Sequence, residues 1–142
     1  MRRTHWITGW MFIVLGISLF QCSERKPFRQ GEILYQNFCA NCHMEDGSGL
    51  KGLIPPLANA DFVEADPERM ACIIRYGLQD SIQVNDTLYR QPMAGVPELS
   101  DFEITNVINY INHAWGNDYG YTSFDDVKAR LDSCATSSQR ID

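Results

Sequence analysis

Cys39-Ala40-Asn41-Cys42-His43 is the stretch on which the reading of this chain turns. A pair of thiols with a two-residue spacer, followed at once by an imidazole, is the C-x-x-C-H signature of covalent c-type haem attachment. The chemistry accounts for each position. The thiols add across the vinyl groups of the porphyrin, and a two-residue spacer on a helical turn matches the separation of those groups. The adjacent imidazole is then swung under the iron as an axial ligand. Other uses of a cysteine pair fit less well. A zinc ribbon needs a second Cys or His pair at matching spacing, whereas Cys72 and Cys134 stand alone. A redox-active pair expects a strand before it and a βαβ context, and neither precedes Cys39.

Outward from the motif, the chain reads as helices joined by long loops. A short helix is expected over 30–38, leading into Cys39. The stretch 44–62 carries Gly47, Gly49, Gly52, Pro55 and Pro56 and is expected to be irregular. Asp66-Pro67-Glu68 supplies an N-cap, a proline at N1 and an acidic first turn, and Gly77 a stop, so a helix is expected over 67–76. A second loop covers 78–99, with a hairpin signal at Asn85-Asp86. Ser100-Asp101-Phe102-Glu103 reads as a capping box, with Leu99 and Ile104 as its hydrophobic staple. Behind it Ile104, Val107, Ile108, Ile111 and Trp115 recur on one helical face, closed by Gly116. A last helix starts at Ser123 and places Phe124, Val127, Leu131 and Cys134 on one stripe.

No segment reads as a core strand, so the expected class is all-α. The 142 residues suit one domain. At 44% hydrophobic and 21% charged, the chain is not a disordered one. Its 12 basic against 18 acidic residues, net -6, leave no basic face for nucleic acid. Loops this long in a small domain usually wrap something. A large apolar cofactor at the centre would supply the interior that short helices cannot make alone.

An iron held by His43 needs a second axial ligand. His5 lies in the leader. His113 is flanked by Asn109, Asn112 and Gly116, which suggest a solvent side. Met11 and Met44 are poorly placed, and Met70 shares an apolar face with Ile73 and Ile74. Met93, in Arg90-Gln91-Pro92-Met93-Ala94-Gly95, sits in a loop just ahead of the best helix, although a loop methionine taken alone is more often a gap-filler than a ligand.

Taken together, residues 31–116 resemble a bacterial class I (monohaem) cytochrome c domain. The matching pieces are Gly31 and Tyr35, the attachment motif, the Gly-rich loop with Pro55, the helix ending at Gly77, a loop methionine and a last helix with Tyr110. The resemblance implies a small helical fold around one covalent haem c, with Cys39 and Cys42 attached to it and His43 and Met93 on the iron. Here the sequence runs Pro92-Met93-Ala94, where family members often read Met-Pro. The resemblance further implies that the Pro55 carbonyl accepts the His43 Nδ1–H, and that Gly31 and Tyr35 cross the last helix near Tyr110. Tyr89 and Trp115 are candidate donors to haem propionates, with aromatic packing as the alternative. The implied activity is one-electron transfer without substrate chemistry. The expected partners are redox proteins (a dehydrogenase, a quinol-oxidising complex or a terminal oxidase), with no small-molecule substrate. A gas-binding sensor and an electron-entry subunit fixed to a larger enzyme remain open beside it.

The N-terminus reads as an address. Arg2 and Arg3 precede 14 uncharged residues, 7–20, too few for the about 20 of a spanning helix. Leu19-Phe20-Gln21-Cys22 resembles the lipobox of bacterial lipoproteins, with Gln21 where a small residue is usual; a signal cleaved elsewhere is the alternative. The expected organisation is a signal over 1–21, a lipidated Cys22 opening a tether over 22–29, the cytochrome domain over 30–116 and a C-terminal extension over 117–142. The protein is expected on the periplasmic side, anchored to a membrane. Cys72 and Cys134, the pair left over, are expected to form a disulfide that clamps the extension onto the domain.

Overall fold

Residues 27–138 are described by the computed structural model, with side chains through 135. The expected signal, Cys22 and residues 23–26 of the tether lie outside them, as do 139–142. In chain order, α1 (Arg29–Phe38) runs into the single turn α2 (Ala40–His43). An irregular stretch leads to α3 (Asp61–Ala65) and α4 (Arg69–Tyr76). A hairpin, β1 (Ile82–Val84) with β2 (Thr87–Tyr89), comes before α5 (Asp101–His113) and α6 (Phe124–Ser138). Among the described residues no helix is long and apolar enough to cross a membrane.

The crossing of α1 and α5 is the centre of the fold. It depends on a missing side chain. A Cβ on Gly31 would run into the Asn106 carbonyl and lie 2.7 Å from the Tyr110 Cβ. Glycine lets the two backbones approach. One turn on, Tyr35 is fully buried, its ring 5.4 Å from that of Tyr110. The phenol donates to the Met44 carbonyl at 2.6 Å, and burial pushes its pKa well above the ordinary value. Ile104, Val107 and Ile108 of α5 are fully buried beneath.

α5 begins as its sequence dictates. The Glu103 N–H donates to Ser100 Oγ at 3.3 Å and the Ser100 N–H to Glu103 Oε2 at 2.8 Å, so both arms of the capping box are made. The helix ends at His113, earlier than the apolar spacing suggests. Trp115 is therefore not on the helical stripe but lies past a turn, at φ 54°. α4 also starts late, at Arg69, because Pro67 and Glu68 form a turn. The N-cap position is thus Glu68, without a side-chain cap bond, and not the expected Asp66, whose carboxylate closes the preceding turn by accepting the Arg69 N–H at 3.1 Å. The hairpin pairs Ile82 with Tyr89 and Val84 with Thr87 across Asn85 and Asp86, whose φ of 47° and 60° suit a two-residue turn.

α6 lies against α4 and α5, burying Val127 and Leu131. Cys72 on α4 and Cys134 on α6 are joined as a disulfide, with Cα atoms 6.1 Å apart. The side of α5 that Asn109 and Asn112 suggested was solvated is instead covered. These residues are 3% and 0% exposed. Asn109 Nδ2 donates to the Thr122 carbonyl at 2.8 Å and its Oδ1 accepts the Thr122 N–H at 3.0 Å; Asn112 Nδ2 donates to the Gly120 carbonyl at 3.0 Å. Amide side chains stand in for a strand partner and satisfy the backbone that crosses over them. His113 is exposed, its ring stacked on Phe28 at 4.4 Å.

Candidate cofactor site

The attachment motif folds as one tight turn at the end of α1. The Cys39 N–H donates to the Tyr35 carbonyl at 2.8 Å, and the Cys39 carbonyl accepts from Cys42 at 3.1 Å and His43 at 2.9 Å. Both thiols are free, Cys39 half-buried and Cys42 exposed. Burial, with Cys42 beside it, pushes the Cys39 thiol up to about 11, so it is neutral at neutral pH, unlike a metal-bound thiolate. Among the described residues no group of three His, Cys, Asp or Glu side chains could hold a metal ion.

His43 is 7% exposed, and its Nδ1 lies 3.0 Å from the Pro55 carbonyl. A carbonyl only accepts, so the proton is on Nδ1 and Nε2 keeps its lone pair. Burial lowers the imidazole pKa, while the Pro55 bond pulls weakly the other way. The ring is thus fixed in the neutral form and tautomer that an iron ligand needs.

Pro55 is held in turn by a laced loop. The Gly47 carbonyl accepts from Leu57 at 2.8 Å and Ala58 at 3.0 Å. Gly47 has φ 67°, and a Cβ there would lie 2.5 Å from the Trp115 ring. Trp115 Nε1 donates to the Glu45 carbonyl at 3.0 Å, and the indole meets Tyr35 and Tyr110 edge-on at 5.0 and 5.5 Å. Its single N–H is therefore engaged by the backbone of Glu45, and the ring packs between Tyr35 and Tyr110. Tyr89 is buried on β2 opposite Ile82. Asn117, which carries no motif signal in the sequence, binds this loop with two hydrogen bonds and α5 with a third. Its Oδ1 accepts the Asn59 N–H at 2.7 Å, and its Nδ2 donates to the Leu57 and Ile111 carbonyls at 3.0 and 2.7 Å. Only its place after a helix end, beside Gly116, could have hinted at this.

Met93 is half-buried between exposed Pro92 and Ala94. It exchanges backbone hydrogen bonds with Leu78, at 2.9 and 2.8 Å. The donor set fits a covalent haem. Free thiols on one turn adjoin a buried imidazole whose Nε2 is left to accept, and a half-buried methionine sits on a separate loop that its backbone pins.

A helical fold with such an attachment turn defines a haem-bearing electron-transfer domain. The family model described as cytochrome c matches residues 28–115, and the chain belongs to the cytochrome c family. It is 35% identical over 111 residues to a cytochrome c-552 of Thermus thermophilus, covering 75% of this chain and 70% of that protein. A second cytochrome c-552 from Thermus thermophilus is 39% identical over 83 residues, 56% of this chain and 63% of its own length. The cytochrome c subunit of an alcohol dehydrogenase (quinone) from Gluconobacter oxydans is 34% identical over 101 residues, which is 69% of this chain but 21% of that subunit. The cofactor is accordingly one covalent haem c, and the protein transfers electrons rather than catalysing a substrate reaction.

Proposed function

We propose that His43 and Met93 are the axial ligands of the haem iron and that the protein carries single electrons between membrane-associated respiratory partners. The bound haem supplies a one-electron ferric–ferrous couple. The chain's residues do the rest. Cys39 and Cys42 hold the group covalently, Pro55 aims the His43 ring, and the Met93 thioether favours the ferrous form, raising the potential. The observation that carries this reading is the complementary preparation of two donors: a buried imidazole with Nε2 open, and a half-buried thioether whose backbone is pinned to Leu78. With both positions taken, no site is left for a substrate.

The acidic balance, net -6, supports partners with a basic docking patch and association that weakens as salt rises. Export through the 1–21 signal and acylation of Cys22 would confine the carrier to the periplasmic face of a membrane, where a dehydrogenase, a quinol-oxidising complex or a terminal oxidase meets it. A second reading, a subunit held permanently in a dehydrogenase, is favoured by the relatives described as cytochrome subunits of alcohol, fructose and gluconate dehydrogenases. Optical spectra of oxidised and reduced protein, with a pyridine haemochrome assay, test the core of the proposal. The expected result is covalent haem with the weak far-red ferric band of sulfur ligation, lost in Met93→Ala together with a fall in potential. A variant that keeps both band and potential removes Met93 from the iron. Stable co-purification with a dehydrogenase would select the subunit reading.

A further inference from the structure

Residues 90–99 lead from β2 into α5, passing against the end of α4, and most of their hold is main chain. Leu78 and Met93 exchange their backbone bonds, and the Val96 N–H donates to the Ile74 carbonyl at 2.7 Å. The end of α4 and the loop pass so closely that a Cβ on Gly95 would lie 2.6 Å from the Arg75 carbonyl oxygen. Beyond Val96 this lacing stops, and one side chain replaces it. Arg75, on α4, donates from Nη1 to the Pro97 carbonyl at 2.8 Å and from Nη2 to Asp101 Oδ1 at 2.8 Å. Its side chain is 18% exposed. Among the described residues no other side chain from outside the segment hydrogen-bonds residues 90–99.

We infer that Arg75 is the positioning residue for Met93, its guanidinium fastening the C-terminal stem of the methionine loop to the first turn of α5. This rests on the reading of Met93 as the iron's second ligand. The geometry suits the task. A planar fork satisfies a carbonyl and a carboxylate at once and holds them at a fixed separation. Asp101 aims the fork and neutralises it, and its own charge sits favourably at a helix N-terminus. The N-terminal stem is tied by Leu78 and the C-terminal stem by Ile74 as far as Val96; without Arg75 the stretch from Val96 to α5 loses its fastening, leaving the Pro97 carbonyl and Asp101 without their partner and the loop resting on backbone bonds alone. A competitor for the iron binds in proportion to the fraction of molecules whose loop is open. Arg75 keeps that fraction small.

The test is titration of the ferric, haem-loaded protein with imidazole, followed by the far-red band. Arg75→Ala is expected to bind imidazole about tenfold more tightly than the unaltered protein. Arg130→Ala, which loses ion pairs to Asp66 and Glu68 well away from the loop, should leave the imidazole affinity unchanged even where its melting temperature falls. Should Arg75→Ala not accumulate with haem, Asp101→Asn removes the aiming charge at constant shape and should raise the affinity about threefold. Affinities within twofold of the unaltered protein in the Arg75 or Asp101 variant, with the band present, overturn the assignment and leave Met93 as ligand. Absence of the band from the unaltered protein, or its survival in Met93→Ala, instead overturns the reading beneath it.

Discussion

The loop after His43 and the loop that carries Met93 are held by different means. Side chains from beyond α5 reach into the first: Trp115 binds Glu45, and Asn117 binds Leu57 and Asn59. The second is laced backbone to backbone around Met93, and its far stem is fastened by Arg75. A buried side-chain hydrogen bond vanishes when its residue is changed and leaves the partner unsatisfied. Backbone pairing is indifferent to side-chain identity and yields when the elements at its ends move. The proximal loop should therefore respond to single substitutions within its clasp, and the distal loop to its anchors.

The largest effect should come from an anchor. Replacing both Cys72 and Cys134 by alanine frees α6 from α4, the helix on which the methionine loop is built. Loss of about 4 kcal/mol is expected for so long a closed loop, read by denaturant unfolding of the haem-loaded protein, with the far-red band fading before the helical signal. Simultaneous loss would mean that the anchor serves both loops equally. Next comes the clasp. Asn117→Ala leaves the Asn59 N–H and the Leu57 carbonyl without their partner, at a cost of about 2 kcal/mol. Here the far-red band should persist up to the main transition, because Met93 is not touched. A variant as stable as the parent would show that water replaces the amide.

The smallest effect is a pH dependence of the proximal side. Burial lowers the His43 pKa, so at pH values just below the ordinary imidazole range the unfolded chain binds a proton that the folded chain does not. Stability should therefore fall as pH drops through that range, with a slope no steeper than one proton, before the carboxylates begin to titrate. Coordination of an iron at Nε2, as proposed, would act in the same direction. A flat stability profile there would mean that His43 is as easily protonated in the folded protein as in the unfolded chain.

What could be read from sequence is what depends on neighbours in the chain. The attachment turn, the capping box of α5, the turn at Asp66 and the Asn85-Asp86 turn are short-range chemistry. Each forms where the residues place it. What escaped depends on contacts between distant segments. Asn109 and Asn112 look like a wet helix face until residues 117–123 lie across them. Trp115 fits the apolar period of α5, yet it is drawn past the helix end by Glu45 and Gly47, some seventy residues earlier in the chain. Arg75 lies 22 and 26 residues before Pro97 and Asp101, and only the fold brings them to it. Nothing in the spacing of Asn117 announces that it braces the loop bearing Pro55.

The bond from Cys72 to Cys134 closes a covalent ring that contains the hairpin, Met93 and all of α5. A protease nick at the exposed Leu88 would open the polypeptide without separating its pieces. On the proposed ligation, one piece would carry the porphyrin and its imidazole, the other the thioether. The disulfide would keep them at high effective concentration, ready to rejoin around the iron.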